Sequence, residues 1–266
     1  MLWSQSDLVK ATAGDLIGDW RNDGIAGVSI DSRSIKSDEL FVAVKAKRDG
    51  HNFINDAIRL GAKGALVDHI PADIPSNTPL LLVPSVQEAL ENLGKYRRER
   101  SQAKVVAITG SVGKTSSKNM LKTILELQGK THASPASFNN YLGVPLTLAN
   151  LPIDATYAVV EIGMNKPGEI EPLARMTAAD VVLITAIGKA HLEAFGDIAG
   201  IAHEKAQIVK GLNSKGIAVL NADTPGYEIL KKQTIKNGSQ FISVGRVGSN
   251  LRACLLYTSP SPRDSL

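Results

Sequence analysis

One cysteine in 266 residues allows neither an internal disulfide nor a cysteine-based zinc site. Long apolar runs are also missing. The longest, residues 181–187, has seven residues against the about 18 that a membrane helix requires. The N-terminal MLWSQSDLVK has no basic segment followed by an apolar one, so a secretory signal is not expected. Charge of one sign is scarce: 30 Lys+Arg against 26 Asp+Glu give +4, dispersed along the chain, which argues against a nucleic-acid partner. With 43% hydrophobic and 21% charged residues the chain can bury a core. A cytoplasmic protein of one large or two ordinary domains, with no membrane partner, is the expectation.

Residues 1–84 alternate short strands with turns: strands around 28–30, 40–44, 65–67 and 80–83, and a helix over 53–60. Residues 85–100 place Val86, Ala89, Leu90 and Leu93 on one helical face, and Ser101-Gln102 reads as a joint. From Lys104 apolar strands (VVAIT, AVVEIG, VVLITAIG, IAVLN, FISVG) alternate with helices over 116–127, 169–176 and 198–212 and near Tyr227. That alternation predicts an α/β fold with a parallel sheet covered on both faces, whose ligands sit at the carboxyl ends of the strands. From Cys254 the chain turns Ser/Pro-rich (CLLYTSPSPRDSL) and resembles the translation of a sequencing-library adapter. Residues 254–266 are therefore expected to be artefactual, and the gene truncated.

After VVAIT comes TGSVGKT, then a helix. The backbone amides of Gly110, Ser111, Val112 and Gly113 can wrap phosphate oxygens at a helix N-terminus, Lys114 can reach the outer phosphates, and Thr115 can ligate Mg²⁺. The pattern is GxxGKT, shorter than the usual loop because Ile108 stands where its first glycine would be. Glu161 interrupts the apolar strand AVVEIGM and needs either a cation such as Mg²⁺ or an ion pair with a nearby lysine. His191 follows a third strand at the same edge. On the helix from Ile198 the stripe Ile198, Ile201, Ala202, Ile208, Val209, Leu212 puts Lys205 at its centre, with His203, Glu204 and Lys210 facing away. Lys205 either snorkels out or is desolvated and reactive.

TGSVGKT, ASFNNYLGVPLTL (136–148), VVEIGMNKPGEI (159–170), AIGKAHLEAFGDIAGIAHEKAQIV (186–209) and VLNAD (219–223) together resemble the Mur ligases, and GVSIDSRSIKSDELFVAVKAKRDGHNF (27–53) is similar to their nucleotide-sugar-binding domain. The resemblance implies a small N-terminal α/β nucleotide-sugar-binding domain (1–84), a helical connector (85–103) and a P-loop-type parallel-sheet central domain (104–253) that is incomplete. It implies an ATP-dependent amide ligase of peptidoglycan synthesis, using Mg²⁺, which joins D-alanyl-D-alanine to UDP-N-acetylmuramoyl-tripeptide through an acyl phosphate, as a monomer. It also assigns roles. Lys114 holds the phosphates, Thr115 and Glu161 one Mg²⁺, and His191 with a carbamylated Lys205 the second. Asn139 and Asn140 lie beside the reacting groups, Asp223 near the ribose, and Ser32 and Arg33 near the uridine nucleotide. Relatives often carry asparagine at the position of Ser137 and glycine at that of Ala46. No HN…NALAA-like adenine segment and no closing C-terminal domain is found; both would follow residue 253, so weak binding and poor turnover are expected of this chain. The alternatives are a sister ligase that adds the third amino acid or glutamate to folate, and a non-catalytic nucleotide-binding remnant.

Overall fold

The computed structural model describes residues 1–21, 24–190, 192–246 and 250–252. The first part of the chain runs α1 (Gln5–Thr12), β1 (Asp15–Ile17), β2 (Gly27–Ser29), β3 (Glu39–Val42), α2 (Ile54–Arg59), β4 (Gly64–Val67), β5 (Leu80–Leu82) and α3 (Val86–Arg100). Its sheet has the order β1-β5-β4-β3-β2, parallel except for β1. Successive side chains leave a strand on opposite faces. Leu40, Val42, Leu66 and Leu81 accordingly meet α1 and α3 on one side, while Phe41, Ala43, Ala65, Val67 and Leu80 meet α2 on the other. Covered on both faces, these strands are continuous apolar runs.

The second part runs β6 (Lys104–Thr109), α4 (Lys114–Glu126), β7 (Thr131–Ala133), α5 (Gly143–Ala149), β8 (Tyr157–Glu161), α6 (Ile170–Thr177), β9 (Ala179–Ile184), α7 (Leu192–Phe195), α8 (Ile198–Ala206), β10 (Leu212–Asn221), α9 (Tyr227–Lys236), β11 (Gln240–Gly245) and β12 (Leu251–Arg252). Among the described residues these strands form one wholly parallel sheet, ordered β12-β11-β10-β9-β6-β8-β7. β6 lies centrally, between β8 and β9, so the loop that follows it opens at the middle of the carboxyl edge. The helix expected over 198–212 stops at Ala206 and tightens into a 3₁₀ turn, Gln207–Gly211. No helix of the described residues is long and apolar enough to cross a membrane. The expected tail, 254–266, lies outside the described residues.

α5 joins the two parts. All seven of its residues are buried, with Leu146 and Ala149 in the first sheet's core and Val144 and Leu148 in the second's. Trp3 Nε1 donates to the Ala149 carbonyl at 3.0 Å, and Arg97 Nε to Leu151 O at 2.9 Å. The Asn150 carboxamide accepts from Val28 N at 2.9 Å and donates to Val28 O at 2.8 Å, so one side chain takes the place of a neighbouring strand at the open edge of β2. Asn150→Ala should leave both Val28 groups unpaired and lower the unfolding free energy by about 1–3 kcal/mol in urea denaturation. Unchanged stability would contradict this tie.

Candidate nucleotide and substrate site

The glycine loop is built as its spacing demands. Gly110 has φ +156°, and a Cβ there would lie 1.9 Å from Thr185 Oγ1; Gly113 has φ +83° and stands at the N-cap of α4. Both therefore depend on the missing side chain. Gly113 provides no side-chain cap, which leaves the first amides of α4 to an external acceptor. The loop is anchored from the segment that follows β9: Thr185 Oγ1 donates to Val112 O at 2.6 Å, and Ser111 Oγ accepts from Gly188 N at 3.0 Å. Lys114 folds back to donate to Gly110 O at 2.8 Å, and burial lowers its pKa against the opposing pull of Glu161.

Glu161 closes β8, in register with Ile108, and is 1% exposed. Its carboxylate accepts from Thr115 Oγ1 at 2.9 Å on one oxygen and from Asn139 Nδ2 at 2.8 Å on the other. Of the two readings left open by the sequence, no lysine ion pair to Glu161 is formed among the described residues. Carboxylate and hydroxyl are hard oxygen donors side by side at the foot of the phosphate loop, and this donor set fits Mg²⁺. Gly163 makes room for Asn139, since a Cβ there would stand 2.7 Å from Asn139 Oδ1. Asn140 behaves differently: its side-chain oxygen accepts from Leu142 N (3.1 Å) and Gly143 N (2.9 Å) and caps α5.

Lys205 is 2% exposed, and its side chain joins Lys114, Asn139, Gly110, Gly163 and Asn165 around a cavity of 130 Å³. Burial, reinforced by the nearby Lys114 charge, lowers its pKa to about 7, with Glu204 opposing. It is desolvated rather than snorkelling. Glu204 corrects the helical-wheel expectation: it is buried, accepting from Gly168 N (2.9 Å) and Ile170 N (3.0 Å) at the start of α6. His191 lies outside the described residues. Asp223 sits on the loop after β10, where it accepts from Arg246 N at 3.1 Å, apart from the small cavity.

Ser32 and Arg33 form a 3₁₀ turn (Ser32–Ser34) after β2, and Arg33 makes a two-pronged pair with Asp31 (2.9 and 2.6 Å). Both line a cavity of 640 Å³ together with Phe53, over which the Arg48 guanidinium lies at 4.2 Å. Phe138 and Leu142, which flank the two asparagines, complete its far wall. Lys118, Ser134 and Thr185 were not singled out in the sequence, and Glu204 was placed on the outer face. Only Lys118 left a trace there, one helical turn beyond Lys114 on the same face.

A parallel sheet with a glycine loop at its central strand, joined to a smaller α/β sheet with a cavity where the two parts meet, defines a two-part phosphate-loop α/β protein. Residues 108–261 match the Mur ligase middle domain and residues 24–98 the Mur ligase family catalytic domain. The chain belongs to the Mur ligase family. It is 40% identical over 214 residues to a UDP-N-acetylmuramoyl-tripeptide–D-alanyl-D-alanine ligase of Rickettsia prowazekii, covering 79% of this chain and 47% of that one. To the protein of the same name from Escherichia coli it is 41% identical over 197 residues, 74% and 43% of the two chains. Among solved structures it is similar to MurF from Acinetobacter baumannii (TM-score 0.81, 34% identity, 92% of this chain and 54% of that one). It is also similar to MurF ligase from Thermotoga maritima in complex with ADP (TM-score 0.70, 29% identity, 84% and 51%). The chain spans about half the length of the curated relatives it matches.

The lowered pKa of Lys205 has a stability consequence. Below about pH 7 the folded protein carries a buried ammonium; between there and the ordinary value of 10.5 the unfolded chain holds a proton that the folded one has released, so stability rises with pH. Lys205→Met should therefore be more stable than the parent in urea at about pH 6, with the margin narrowing steadily between about pH 7 and 10.5. A margin independent of pH would contradict the assignment.

Proposed function

We propose that the chain is the substrate- and ATP-binding part of a cytoplasmic, monomeric ligase that adds D-alanyl-D-alanine to UDP-N-acetylmuramoyl-tripeptide. The observation that carries this reading is the shared wall: Phe138 and Leu142 line the 640 Å³ cavity, and Asn139 between them touches Glu161 and the small cavity with Lys114 and Lys205. A ligand with a nucleotide-sugar held near Ser32, Arg33 and Phe53 can extend a peptide past Phe138 to the phosphate loop. Residues 1–84 then form the sugar-nucleotide domain, 85–103 the connector and 104–253 the ATP domain. The names borne by the relatives support the choice of tripeptide and dipeptide.

In this reading the amides of Gly113 and the first turn of α4, with Lys114, orient the triphosphate, whereas the Ser111 amide donates to Ala186 O at 2.7 Å and only shapes the loop; Asp223 lies toward the ribose. Thr115 and Glu161 would hold one Mg²⁺, which when bound supplies neutralisation of phosphate charge; Lys205, once carbamylated, would hold a second together with His191. A carboxylate oxygen of the tripeptide attacks the γ-phosphorus and ADP leaves. The dipeptide amine then attacks the acyl carbon, loses a proton and expels phosphate. Asn139 and Lys114 steady the charges beside the reacting atoms, Asn140 holds the loop through its bonds to Leu142 N and Gly143 N, and most of the chemistry is positioning and charge neutralisation.

Calorimetric titration of this chain with ADP and Mg²⁺ should show binding, and Lys114→Ala should weaken it by about tenfold or more, the loss of a charge-assisted phosphate contact. Equal affinity in the variant removes the loop assignment. In the protein extended to its relatives' length, phosphate release from ATP should require both UDP-N-acetylmuramoyl-tripeptide and D-alanyl-D-alanine. Release driven by a single amino acid would overturn the choice of ligase.

A further inference from the structure

The amphipathic α4 buries a charge rather than an apolar side chain. Lys118 is its buried residue, 2% exposed, while Met120, Ile124 and the following Leu127 are open to solvent. Among the described residues no carboxylate pairs with Lys118. Its ammonium donates instead to two backbone carbonyls, Ser134 O at 2.8 Å and Ala136 O. Burying a lysine is costly unless its donors are satisfied, and burial does lower its pKa, with Glu161 opposing.

The two carbonyls belong to the segment that leads into the asparagine loop. Ser134 is fixed to β8 twice, donating its amide to Val159 O at 3.0 Å and accepting from Glu161 N at 3.0 Å. Beyond it the chain turns: Ala136 has φ +44°, a left-handed conformation that a residue with a Cβ adopts only when its surroundings enforce it. Phe138 N then closes onto Pro135 O at 3.1 Å, and the Asn139 carbonyl accepts from Gly163 N at 2.7 Å. Lys118 is the tie between this strained turn and the helix that starts at the phosphate loop, one turn after Lys114.

We propose that Lys118 is a positioning residue: by gripping both carbonyls of the turn it sets residues 134–139 against α4, so that Asn139 reaches Glu161 while the same helix presents Lys114 and Thr115 to the nucleotide. Lys118 is not part of the lining of the small cavity at the phosphate loop. The role deepens the ligase reading above, in which Asn139 faces the reacting carboxylate, but its structural content stands apart from that reading.

The test is hydrogen exchange on the purified chain, with ADP–Mg²⁺ titration in parallel. In Lys118→Met the amides of Phe138 and Gly163 should lose about tenfold or more in protection, as expected for losing two charge-assisted hydrogen bonds, while Val106 and Ile108 in β6 keep theirs. ADP affinity should change by less than about threefold, unlike that of Lys114→Ala. Lys118→Arg, which keeps a buried cation with several donors, should restore protection at both amides. Lys118→Gln, with one amide donor and shorter reach, should fall between and carries the comparison if the methionine variant does not fold. Parent-like protection in a folded Met or Gln variant would overturn the proposal. So would a loss of ADP affinity as large as that of Lys114→Ala. If the parent chain binds no ADP, the ligase reading fails while the exchange result still decides the role of Lys118.

Discussion

A carboxylate buried at the end of a parallel strand cannot stand alone, and the arrangement around Glu161 follows from that constraint. Its two oxygens take one donor from each side of the crevice, the Thr115 hydroxyl from the phosphate helix and the Asn139 carboxamide from the loop after β7. Gly163 is bare where Asn139 lies, Ser134 holds the backbone of Glu161, and Lys118 draws the turn toward α4. Where only Glu161's own satisfaction is considered, either donor would do; having both fixes the asparagine loop relative to the phosphates.

The second constraint is α5, which begins where the asparagine loop ends and is buried in two cores at once. A helix shared in this way cannot shift without disturbing both sheets, because interiors are close-packed. Asn150 and the Trp3 indole fasten its far end to the first domain. The wall formed by Phe138 and Leu142 is therefore held at a fixed distance from both the larger cavity and the phosphate loop. In the proposed reaction that rigidity is what brings a peptide end and a phosphate into register.

Much of this was legible in the sequence, for identifiable reasons. Glycine spacing, a preceding apolar strand and a following helix located the phosphate loop, because the backbone geometry permits few other residues there. Lys205 stood out as a charge at the centre of an apolar stripe, and it is buried. The same helical wheel failed for Glu204, since the partner that buries it is the start of α6, which no periodicity within α8 can reveal. α5 gave no amphipathic signal because it is apolar all round, and Pro145 in its first turn is compatible with a helix. Asn140 looked like a twin of Asn139, yet it serves as a cap, a distinction set by backbone direction rather than residue type.

The central claim is that Glu161 joins the phosphate helix to the asparagine loop through a site suited to Mg²⁺. Its most direct test is ADP titration of the parent chain and of Glu161→Gln, each with and without Mg²⁺. The amide keeps the size and one acceptor but removes the charge. In the parent, Mg²⁺ should strengthen ADP binding, and in the variant that enhancement should fall by about tenfold. An equal enhancement in both proteins would contradict the account.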